Sequence, residues 1–136
     1  MSTKSISENI VITSSSAYIE QQSSVKDNRF VFAYKITISN VSDKTVQLIS
    51  RHWVILDANN KSEEIYGEGV IGEKPIIKPG EKYSYTSGAI LDTEIGTMEG
   101  RYFLIIKNDD KPSKIECEEI EVMIPRFTLS VPRTIH

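Results

Sequence analysis

From Arg29 to Asn40 the chain alternates. Phe30, Phe32, Tyr34, Ile36 and Ile38 fall on one face, and Val31, Ala33, Lys35, Thr37 and Ser39 on the other. Strict period two over such a length, in aromatic and β-branched residues, predicts a strand with one face in a core. Thr45 to Asp57 predicts a second long strand, but apolar residues occupy both of its faces, so parity alone does not assign a side to Trp53. A bulge near Ser50 would resolve the mixed pattern. Lys82 to Leu91 predicts a strand with Tyr83 and Tyr85 on one face, and Tyr102–Ile106 is a nearly continuous apolar run suited to a central strand, Arg101 to Lys107.

Shorter strands are expected at Asn9–Thr13 and Ala17–Gln22, around a turn at Ser14–Ser16, and at Ser62–Tyr66. The last is expected at Ile115–Ile124, stopped by Pro125, with Glu116, Glu118, Glu119 and Glu121 blunting an exposed edge. Turn signals lie between the strands at Lys26–Asn28, Val41–Lys44, Ala58–Lys61, Pro79-Gly80, Gly96–Gly100 and Asn108–Pro112. No segment carries a helical period. The pattern therefore predicts an all-β fold, an antiparallel β-sandwich of seven to eight strands. Residues 1–8 are polar and expected as a flexible lead, and 9–136 as a single domain.

Composition narrows the function classes. A chain of 136 residues with 39% hydrophobic and 26% charged residues is a globular domain able to bury a core without staples. A net charge of −3 disfavours nucleic acid, which needs clustered Lys and Arg. Cys117 is the single cysteine, which rules out an intramolecular disulfide and a thiolate-rich zinc site. The start lacks an apolar signal core and no window is long enough to span a membrane, so a cytoplasmic location is expected.

The stretch Gly67–Gly88 carries the chemistry to be weighed. Gly67-x-Gly69-x-x-Gly72 matches a dinucleotide-binding fingerprint, but that site needs a helix directly after the glycines. Glu73, Pro75, Pro79 and Gly80 leave no room for one, and Glu68 and Glu73 would repel an anion. Loop amides could still form a nest for phosphate, with Arg51 and Lys74 supplying charge. His52, Cys117 and His136 are not at metal-ligand spacing, and no calcium-loop pattern occurs. No serine lies in a nucleophile elbow, and Cys117 reads as a small buried hydrophobe. No catalytic residue, metal ligand or cofactor is therefore expected.

Several fixed spacings resemble one family. Arg51-His52-Trp53-x-Ile55-x-Asp57, Gly67-x-Gly69-Val70-Ile71-Gly72-Glu73-x-Pro75 and Pro79-Gly80-Glu81 are similar to the bacterial ApaG (CorD) family. So are Tyr85-Thr86-Ser87-Gly88, Gly96-x-Met98-x-Gly100-x-Tyr102 and Ile124-Pro125-x-Phe127, with Leu56, Asn60 and Glu94 as departures. The resemblance implies an immunoglobulin- or fibronectin-III-like sandwich and a loose tie to cobalt and magnesium efflux. Related domains in F-box proteins and a polymerase-interacting protein imply partner binding. The expected function is a non-enzymatic protein-interaction module, monomeric or a weak homodimer, of unidentified protein partner. Its expected contact loop comprises Tyr66, Gly67, Gly69, Ile71, Gly72, Glu73, Arg51 and Tyr85. The rival readings are a factor in divalent-cation homeostasis and a weak phosphate or nucleotide binder.

Overall fold

The computed structural model describes residues 3–107 and 118–132. It is an antiparallel β-sandwich. Its strands are β1 (Ile10–Tyr18), β2 (Phe30–Asn40), β3 (Thr45–Asp57), β4 (Ser62–Glu68), β5 (Ile76–Ile77), β6 (Lys82–Leu91), β7 (Ile95–Lys107) and β8 (Glu119–Ser130). One sheet has the order β1-β2-β6, and the other β4-β3-β7-β8 with β5 also pairing β3. The inward residues of both sheets form one core around Phe32, Ile36, Ile38, Leu48, Trp53, Tyr102 and Leu104. Among the described residues no helix is long and apolar enough to cross a membrane.

The alternation of β2 holds, with its even-numbered side chains buried. In β3 burial switches from Val46 and Leu48 to Trp53, Ile55 and Asp57, because the register with β7 shifts between Leu48 and Ser50. This bulge resets the parity and turns Trp53 into the core, where it is 2% exposed.

Four expectations are corrected. Ser14–Ser16 are not a turn: β1 runs through them, paired to Ile36, Lys35 and Tyr34 of β2, and Glu20–Gln22 form a 3-10 turn instead of strand. A long, regular neighbour overrides the weak turn preference of serine. Thr3–Glu8 form a short helix (α1), and its Ile6 is 2% exposed, with the helix packed against β8.

Gly96 and Gly100 do not break the chain before Arg101, since both lie at inward positions within β7. A Cβ on Gly100 would collide with the His52 carbonyl across the ladder, so this glycine permits a close strand approach. Pro125 does not end the last strand. Met98 pairs Phe127 while Gly100 pairs Ile124, so Pro125 and Arg126 form a bulge on an edge strand, where a missing N–H is tolerated. The expected turn at Asn108–Pro112 and the start of the Ile115–Ile124 strand, with Cys117, lie outside the described residues.

Candidate functional site

The glycine-rich stretch is a hairpin clamped to β3. Gly67 pairs with Arg51, and the Arg51 guanidinium lies 2.8 Å from where a Gly67 Cβ would be. Arg51 Nη1 donates to the carbonyls of Glu68 (3.1 Å) and Gly69 (2.6 Å). The Gly69 N–H then donates to the Ile49 carbonyl at 2.7 Å. Val70 and Glu73 exchange two main-chain bonds of 2.8 and 2.9 Å, closing a two-residue turn on Ile71 and Gly72. Both turn residues have positive φ, +49° and +75°, the signature of a type I′ turn. Lys74 Nζ pairs with Glu68 at 3.3 Å across the hairpin.

This geometry answers the fingerprint. Gly72 is followed by strand β5 and a turn, with no helix to present its amides to a pyrophosphate. The amides of Gly69, Val70 and Glu73 already donate to main-chain carbonyls, and part of the Arg51 guanidinium is spent on two more. Among the described residues no group of three or more His, Cys, Asp or Glu is placed to hold a metal ion.

Behind the hairpin a cleft of about 230 Å³ opens between the sheets. Arg51 and Trp53 reach it from β3, Tyr34 from β2, and Tyr85 and Ser87 from β6. The Tyr34 and Trp53 rings meet edge-on at 5.6 Å. The Tyr85 and Tyr102 hydroxyls are hydrogen-bonded to each other. Burial pushes both phenols well above the usual tyrosine range. The Trp53 Nε1 hydrogen has no acceptor among the described residues.

Arg51, Gly67, Gly69, Ile71, Gly72 and Glu73 lie together in and beside the hairpin, and Tyr85 shares the cleft with Arg51 and Ile71, whereas Tyr66 is turned to the other face of the sheet. Tyr66 is on the outer face of the larger sheet, 70% exposed, its ring stacked on His52 at 4.2 Å and 4°. His52 Nε2 is 3.5 Å from Glu64 Oε1, beyond a good hydrogen bond. Tyr85 is buried between the sheets and lines the cleft together with Arg51, Val70 and Ile71. Sequence reasoning missed Tyr34, Trp53 and Ser87 as cleft residues. The signal was available in the alternation of β2 and β6, but Trp53 needed the bulge to be placed.

Comparison with known proteins settles the family. Residues 20–106 match the family model described as the ApaG domain. The chain belongs to the ApaG family. The ApaG protein of Erwinia tasmaniensis is 48% identical over 121 residues, covering 89% of this chain and 90% of that protein. ApaG of Escherichia coli O1:K1 is 46% identical over 130 residues, 96% of this chain and 98% of its own. The crystal structure of a Bordetella pertussis protein described as ApaA superposes with a TM-score of 0.83 at 38% identity, covering 92% of this chain and 95% of that one. The ApaG resemblance read from Arg51–Asp57 and Gly67–Pro75 is therefore borne out.

Proposed function

We propose that this ApaG domain is a non-enzymatic interaction module that meets a protein partner through its glycine-rich hairpin. The observation that carries the reading is Ile71. A β-branched residue at φ +49° is rare, because left-handed backbone costs an L residue about 1–2 kcal/mol. Burial does not repay this cost, since Ile71 is 60% exposed at the hairpin tip. Glycine would relax the turn, so folding alone gives no reason for the isoleucine. An apolar side chain held out on a strained, doubly hydrogen-bonded tip is suited to insertion into a partner. Ile76, on the following strand, is a second exposed apolar side chain, at 53%.

The reading separates binding from stability. Ile71→Gly is expected to keep the unfolding free energy within about 1 kcal/mol of wild type, as relief of strain offsets the extra freedom of the unfolded chain. The same variant is expected to lose partners that cross-link to a photoreactive residue placed at Lys74. Ile71→Gly retaining the full set of cross-linked partners at wild-type yield would refute the hairpin as the contact.

A further inference from the structure

We propose that the cleft between the sheets, which Val70 and Ile71 of the hairpin help to line, is a binding site for a compact carboxylate carrying an aromatic or branched apolar group. Its polar lining is made of donors. Arg51 and the Trp53 indole can only donate, and the Tyr34, Tyr85 and Ser87 hydroxyls can each donate a proton. No Asp or Glu is among the described residues that line it. Such a lining is complementary to an acceptor bearing negative charge.

Two details sharpen the donor count. Tyr102 is fully buried and its hydroxyl has Tyr85 as its partner, so it donates to the Tyr85 oxygen and avoids an unpaired buried proton. The Tyr85 proton is then left to face the cleft. The Trp53 N–H, buried in a residue that is only 2% exposed, is the second donor without an acceptor among the described residues. An unpaired buried donor is costly, and a ligand acceptor would relieve it.

Charge and volume select the ligand. Arg51 is the single charged residue in the lining, and two of its hydrogen bonds already go to main-chain carbonyls. One partly engaged guanidinium suits a monoanion better than a phosphate dianion, and its planar fork matches a carboxylate. The remaining wall, with Ile65 and the Trp53 ring, is apolar. About 230 Å³ is smaller than a drug-sized pocket and fits a molecule of one ring with a short acid arm.

Trp53 is the only tryptophan, so its indole N–H gives one resonance that reports on the cleft directly. Titration of the full chain with 3-phenylpropionate is expected to move this resonance downfield and saturate near or below about 1 mM, as suits a ligand of about eleven non-hydrogen atoms. The primary amide of the same acid should bind at least about tenfold more weakly, because it lacks the charge. Tyr34→Phe keeps the ring and removes one donor, so the acid should also lose about tenfold in affinity there. Ser87→Leu should fill the cleft and abolish the shift. A resonance unmoved at about 10 mM acid, equal shifts with the amide, or wild-type affinity in both variants overturns the proposal.

Discussion

Gly69 and Gly72 belong to the same hairpin and both have positive φ, yet they should respond differently to a methyl group. Nothing lies within 4 Å of a Cβ added to Gly72, so Gly72→Ala meets only the left-handed backbone penalty of about 1 kcal/mol. At Gly69 the added Cβ runs into the Glu73 carbonyl, whose oxygen is committed to the Val70 amide. Relief there requires opening the hairpin, and Gly69→Ala is expected to cost roughly 3 kcal/mol. Urea unfolding of the two variants checks the contrast; equal midpoints would show that the hairpin yields freely at Gly69. Arg51 belongs to the same residue-scale logic. It has the look of an anion ligand in the sequence, but its first task is to hold the Glu68 and Gly69 carbonyls.

At the scale of elements, Asn40 ties the end of β2 to the chain that follows the hairpin. Its Nδ2 donates to the carbonyls of Lys44 (2.7 Å) and Ile77 (2.9 Å), and its Oδ1 accepts from the Ser42 amide (3.0 Å) and hydroxyl (2.6 Å). Asn40 and Ser42 are buried, so Asn40→Ala strands partners as well as losing bonds and is expected to cost about 2–4 kcal/mol. Thermal unfolding with hydrogen exchange at Ile77 and Gly80 tests it, and protection unchanged from wild type would rule out the tie. The elements differ in how legible they were. β2 and β6 could be read directly because alternation is a local property of the chain. The β3 bulge was legible as a conflict between the two faces, and the structure resolves it near Ser50 as that conflict required. β1 was legible at its two ends but not as one strand, since Ser14–Ser16 become strand only when β2 is beside them. Gly100 and Pro125 misled for the same reason: a close cross-strand approach and an edge position are tertiary facts, invisible to local turn preferences. The hairpin residues were legible from glycine spacing. The cleft was not, because it is made from two sheets whose apposition no local pattern encodes.

The Tyr85–Tyr102 bond joins those sheets, β6 of the smaller to β7 of the larger, so its protonation concerns the whole sandwich. Desolvation is the chief cause that raises both phenols above the ordinary tyrosine value. The sign follows from proton counting. Above a pH of about 10 the unfolded chain releases these protons while the folded chain keeps them, so the unfolded state binds fewer and stability falls as pH rises. Below that pH both states hold the protons, and the pair adds no slope. Two such groups can steepen the decline by up to about 2.7 kcal/mol per pH unit. Urea unfolding at intervals between about pH 8 and 11 should show this bend, with Tyr85→Phe/Tyr102→Phe less stable at neutral pH but flatter above it. Phenolate absorbance supplies an independent reading, because two of the six tyrosines should resist ionisation until the sandwich unfolds. Free titration of all six near pH 10 in a chain that still shows native amide dispersion would remove the buried pair as a joint between the sheets.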